Sequence, residues 1–187
     1  WLEACDQLHS AGPMNNAWGF IPGEAAGFCL LASTKAVDEW TLPVLGQVNG
    51  VATAREKTLI KTDTVCLGRG LIEAFEQVFQ YLPPSSKVED IICDMNGEPY
   101  RGDEFGFATL RTAARFVDSA DFQAPADCWG DVGAASGPLF VNLAVIAAIK
   151  GYAKGPCTLV WTSSESGERA AALVQTGLPQ KGDKPCP

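Results

Sequence analysis

The stretch that most constrains the fold is CWGDVGAASGPLFVNLAVIAAIKG, Cys128 to Gly151. It reads as a helix opened by small residues and an aspartate, and apolar on nearly every face. Leu139, Val141, Leu143, Val145, Ile146 and Ile149 do not fall on one stripe, and Ala144, Ala147 and Ala148 fill the gaps between them. A helix that is apolar all round is normally enclosed on all sides. Asn142 and Lys150 interrupt the run before it reaches the roughly 20 residues that a membrane span takes, so the enclosure expected is protein. A single open sheet covers only one side of such a helix. Burying each further large side chain is worth about 1.5–3 kcal/mol, so a second sheet, or a second copy of the unit, is expected against the other side.

The chain has 187 residues, enough for one domain or for half of a larger one. It is 47% hydrophobic and 19% charged, a balance that builds a core and not a disordered tail. The net charge of −8 argues against a general nucleic-acid binder, because phosphate contacts need clustered Lys and Arg. The chain opens at Trp1 with neither Met nor a signal-peptide pattern, so a piece of a longer or processed product is expected. Seven cysteines include no CxxC pair. Their odd number and scatter argue against a zinc site or a disulfide framework, and neither metal nor cofactor is expected. Cysteines inside apolar runs read as buried free thiols, which fits a reducing cytoplasm. The only histidine is His9, in the irregular opening segment, and a poor candidate for a base.

Along the chain, residues 1–16 read as a short helix and a loop. An apolar strand is expected over Ala26–Ala32, and a second extended run over TLPVLGQVNGVATA. Thr62 to Thr64 supply N-cap chemistry for a helix reaching Leu82, where Pro83 and Pro84 stop it. KVEDIICDM reads as a short buried strand. Asp103 and Glu104 favour the start of a helix running to about Asp118, with Phe107, Leu110, Ala114 and Val117 on one face. A short extended piece near Phe122 to Pro125 precedes the apolar helix. PCTLVWTSS and RAAALVQT pair as two strands around the turn ESGE. Strands alternating with helices imply a mainly parallel sheet, and the closing hairpin adds an antiparallel edge.

GFIPGEAAGFCLL resembles the GEGAG segment of β-ketoacyl synthases. GDVGAASG resembles their GHxxGAAG stretch, and ICDMNGEPYRGDEFGFATL the segment that begins HGTGT and runs into a helix. The resemblance spans about Gly19 to Thr176. It implies a half of the thiolase-like α/β fold: a five-stranded, mainly parallel sheet with an antiparallel edge and a buried central helix. It also implies the division: residues 1–42 as the end of an N-terminal half with a linker, 43–176 as the C-terminal half, and 177–187 as a mobile tail. The dry face of the Gly133–Lys150 helix would then lie against the other half, in the same or a separate chain.

The departures bear on chemistry. The family's two histidines fall on Asp94 and Asp131, the lysine before the second falls near Ala126, and the closing glycine loop is matched by SSESGER, which keeps only Gly167. Asp94 and Asp131 are thus the catalytic-position candidates, and Asn96 and Gly167 the substrate-binding candidates. Beside these stand plainer readings: Asp131 as a helix cap, Asp94 as a strand-end turn residue, and Asn96-Gly97 as a turn. Condensation makes an enolate at a thioester carbonyl and needs hydrogen-bond donors to the oxyanion. An ionised carboxylate supplies none. The resemblance therefore implies a partner that lacks standard condensing activity and binds an acyl chain or a carrier protein or aids assembly. The alternative is an active acyltransferase or thioester hydrolase using a cysteine upstream of Trp1. A third is an interaction module closing its apolar helix in a homodimer.

Overall fold

The computed structural model describes Leu8 and residues 18–59 and 64–177. The expected opening helix, His9 and the tail beyond Gly177 lie outside the described residues. Among the described residues nine α-helices and strands follow in chain order: α1 (Thr34–Trp40), β1 (Gln47–Arg55), α2 (Arg69–Val78), β2 (Asp90–Cys93), α3 (Pro99–Thr112), α4 (Ala126–Trp129), α5 (Ser136–Lys150), β3 (Cys157–Ser163) and β4 (Glu168–Gln175).

The strands form one mixed sheet in the order β1-β4-β3-β2. β2 pairs parallel with β3, β3 antiparallel with β4, and β4 antiparallel with β1. Among the described residues the sheet has four strands, short of the five expected, and two of its three pairings are antiparallel. The hairpin forms around the ESGE turn as expected, but β4 is not an edge. Its outer side accepts β1, whose eight partnered residues run from Gln47↔Gln175 to Arg55↔Glu168. The Phe122–Pro125 piece stays short of a strand. Gln123 makes one parallel bridge to Ile92, accepting from Cys93 N–H and donating to Ile91 O.

Successive residues of β2, β3 and β4 point to opposite faces, and both faces are covered, so these strands read as near-continuous apolar runs. Ile91, Leu159, Trp161 and Leu173 join Leu71, Phe75, Val78, Phe105 and Phe116 on the side of α2 and α3. Ile92, Val160 and Val174 join Phe140 and Ala144 of α5 on the other. α2 has a clean stripe, Leu71, Ile72, Ala74, Phe75 and Val78, with Gly68 in the left-handed region as its N-cap. It thus begins at Arg69 rather than near Thr64. α3 begins four residues earlier than its acidic pair suggests, because Pro99 is pre-set for the first helical turn. That start brings Arg101 into the helix; Arg101, Glu104, Phe105, Ala108 and Thr112 face inward, whereas Leu110 and, beyond the helix, Val117, both expected inside, are exposed.

α5 departs most from expectation. It buries one stripe, Ser136, Phe140, Ala144 and Ala147, while Ile146 and Ile149 stand 45% and 61% exposed. Within the described residues it is not the enclosed central helix that its sequence calls for. The stretch Gly133–Lys150 also has the length and apolarity to cross a membrane, although its buried stripe sits on β3 and β2. The expected strand over Ala26–Ala32 is an extended arm without sheet pairing. It crosses α5: Asn142 Nδ2 donates to Phe28 O at 3.2 Å, and the Cys29 thiol donates to Pro138 O at 3.4 Å. Gly27 permits this approach, since a Cβ there would meet Leu139 at 3.0 Å. The arm does not seal the helix, for its own Phe28 and Leu30 are 86% and 89% exposed.

Candidate functional site

β2 and β3 run parallel, and their carboxyl ends place Asp94 and Ser163 side by side. Ligand sites of α/β sheets gather at such ends. Ser163 N–H donates to Asp94 Oδ2 at 2.6 Å. The first turn of α3 brings Arg101 in from below, its Nη1 3.0 Å from Asp94 Oδ2 and donating to Ser163 Oγ at 2.7 Å. The same guanidinium meets Glu98 Oε2 through Nε at 3.2 Å and Asp131 Oδ2 through Nη2 at 3.8 Å. Asn96 Nδ2 donates to both Glu98 Oε2 and Asp131 Oδ2, each at 2.8 Å. Asp131 Oδ1 accepts from Gly133 N–H at 2.8 Å, ordering the turn that leads into α5. One arginine thus sits among three carboxylates, all four side chains largely buried.

Burial pushes the pKa of Asp94 up, and Arg101 and the Ser163 N–H oppose it. The contacts decide its state at neutral pH: two donors on Ser163 and the guanidinium all point at the carboxylate, which suits an ionised acceptor and not a donor. For Arg101, burial works against the charge, but Asp94, Tyr100, Asp131 and Glu98 outweigh it and raise its pKa. Because the folded pKa of Asp94 lies above its unfolded value of about 3.9, its contribution to stability is full below that value and is lost as the pH rises through the folded one. Asp94→Asn removes this titration. The stability of the wild type relative to that variant is expected to rise as the pH falls from 7 toward 4, measured by urea unfolding across the range.

The structure brings three of the four sequence candidates, Asp94, Asn96 and Asp131, into one cluster. Gly167 is apart from them. With φ +103° it makes the β3–β4 turn, accepts Glu56 N–H at 2.7 Å, and would place a Cβ 2.6 Å from Glu56 O. It shapes the rim through its neighbours: Ser163, Ser164 and Glu168 line an open cleft of about 1110 Å³ together with Asp94, Arg101 and Asp131. Cys93, beside Asp94, is buried and its thiol is pushed up to about 12, which leaves it inert. The sequence reading missed Arg101 and Ser163. A helix assumed to start at Asp103 leaves Arg101 in a loop; the Glu98–Arg101 spacing around Pro99 was the available signal. Nothing local marks Ser163, whose role comes from the β2–β3 register, in which Cys93 pairs with Trp161.

The described residues form an α/β fold with one mixed sheet of four strands and a candidate site at the carboxyl ends of its two parallel strands. No protein-family model matches the sequence, and no curated protein does. Solved structures do match. One is the AntDE:AntF assembly, a type II PKS acyl-carrier protein in complex with its ketosynthase bound to the hexaketide: TM-score 0.63, 12% identity, covering 94% of this chain and 52% of that one. The ishigamide ketosynthase/chain length factor matches with TM-score 0.53 and 17% identity over 77% of this chain and 37% of its own. The ketosynthase ApeO in complex with its chain length factor ApeC from Xenorhabdus doucetiae matches with TM-score 0.60 and 12% identity over 73% and 40%. The chain has the thiolase-like fold of these ketosynthase and chain length factor structures, and it spans about half the length of the first of them or less.

Proposed function

We propose that residues 43–176 are the C-terminal half of a ketosynthase-like protein that does not itself catalyse condensation. It works as the partner of an active ketosynthase, much as a chain length factor stands beside one in the similar structures. Residues 18–42 belong to the end of the other half, whose body covers α5, and the Gln123 segment extends the sheet to a fifth strand in the assembled protein. The large exposed side chains of the arm, Phe28, Leu30, Leu31 and Trp40, support this, since so much clustered apolar surface marks an interface. The cleft faces the acyl chain or the carrier protein that presents it.

The observation that carries the reading is the clamp of Asp94, Glu98 and Asp131 on Arg101. At the two positions that resemble the family's donors stand acceptors already bound to one buried cation. A carboxylate about 4 Å from a developing oxyanion costs about 4 kcal/mol at an effective dielectric of 20, near three decades in rate. The test is Asp131→Asn in the assembled protein with its ketosynthase and carrier. Product formation from a malonyl thioester is expected to stay within about twofold of wild type. A hundredfold loss with assembly intact would instead make Asp131 part of an active acyltransferase or hydrolase.

A further inference from the structure

We infer that Glu56, Cys66 and Glu104 form a binding site for a divalent metal ion of the zinc class, linked to the cleft through the contact of Glu104 with Arg169. The three residues come from distant parts of the chain: Glu56 follows β1, Cys66 precedes α2, and Glu104 lies on α3. Each offers one ligand atom, and these atoms lie within 4.8 Å of one another. That is the span of a set that can close on a single ion. Their spacing in sequence forms no short motif, which is why the absence of a CxxC pair did not reveal it.

The second observation is the state of Glu104. The residue is 1% exposed. Its Oε1 accepts from Arg169 Nε at 2.7 Å, and its Oε2, also buried, has no hydrogen-bond partner among the described residues. Buried carboxylate oxygens are normally satisfied, so an orphan beside a thiol and a second carboxylate points to a missing positive partner. Glu56, 3% exposed, is meanwhile held rigidly. Its Oε1 accepts from Lys57 and Thr58 N–H, and its Oε2 from Gly70 N–H at 2.8 Å.

The backbone makes room for this approach. A Cβ at Gly68 would lie 2.7 Å from Glu104 O, and one at Gly70 would lie 2.5 Å from Glu56 N. Both glycines let the start of α2 close on the pair of carboxylates. One thiolate with two carboxylates favours zinc-class ions over magnesium or calcium, which take oxygen ligands alone. On binding, Cys66 gives up its thiol proton to solvent and the sulfur takes the metal. The ion would tie Glu56 and Cys66 to α3 and, through Glu104, to Arg169, which lines the cleft.

The test uses the full chain and Co2+ as the probe. One Co2+ per chain is expected, with a thiolate-to-metal charge-transfer absorption that Zn2+ abolishes by displacement. Cys66→Ser, at a half-buried position that tolerates the change, is expected to lose that absorption and weaken binding at least tenfold. Cys128→Ser, at an exposed position, is expected to keep both. Glu104→Gln should weaken binding as well; if it does not fold, the cysteine pair decides alone. A wild-type chain that shows no such absorption, or one whose absorption survives in Cys66→Ser, overturns the site. Neither result touches the reading of the Asp94–Asp131 cluster, whose residues are not ligands here.

Discussion

Replacing Arg101 with methionine is expected to destabilise the fold by about 3–5 kcal/mol, the cost of leaving a buried charge without its partner. The guanidinium is 7% exposed and contacts three carboxylates, Asp94, Glu98 and Asp131. Methionine matches much of its volume, so the loss reports charge and hydrogen bonds rather than a cavity. Against a total stability of about 5–15 kcal/mol, such a loss leaves the domain marginal. Urea unfolding measures it. Neutralising all four groups together, in D94N/E98Q/R101M/D131N, is expected to cost less than R101M alone, because the orphaned carboxylates are then gone. A cost below about 1 kcal/mol for R101M would mean that Arg101 does not hold these carboxylates as acceptors. The clamp would then not be what occupies the two catalytic positions, and the non-catalytic reading would lose its physical basis.

The second large effect is expected from Phe75→Ala. Phe75 is fully buried at the centre of the α2 face of the sheet, with ring centroids of Phe79, Phe105, Phe116 and Trp161 at 5.9, 6.5, 6.1 and 6.2 Å. Removing a ring that four others pack against costs about 3–5 kcal/mol. For a chain of this length that lowers Tm by roughly 10 °C or more, read by thermal denaturation. Leu110→Ala is the contrast. Leu110 lies on the face of α3 that the apolar spacing nominated for the core, but it is 76% exposed, and its loss should stay within about 0.5 kcal/mol. Equal effects from the two would place α3 the other way round.

That contrast shows where the sequence was informative. Local patterns carried β2, the β3–β4 hairpin and the buried face of α2, because each states its own period within a few residues. α3 was misread through its start. Pro99 opens the helix four residues early, and its buried stripe includes the polar Arg101, Glu104 and Thr112, which a search for apolar spacing passes over. The place of β1 was not legible, since joining β4 is a pairing across more than a hundred residues. The site was half legible. Asp94, Asn96 and Asp131 are marked by resemblance and spacing, whereas Arg101 and Ser163 reach them only through the helix turn and the strand register. For α5 the sequence holds information that the described residues do not satisfy: it is apolar all round, yet only one stripe is covered.

The uncovered flank gives the most direct measurement, the alkylation rate of Cys29. Its thiol is exposed and hydrogen-bonded to Pro138 O and Asn142 Oδ1 on α5, where a second half would settle. In the chain alone Cys29 should react freely while Cys93 does not. If the proposed assembly with a ketosynthase-like other half forms, the rate at Cys29 is expected to fall in it at least a hundredfold, about 2.7 kcal/mol of protection. An unchanged rate in an intact assembly would mean that nothing lies on this flank of α5, and the half-fold account would be contradicted.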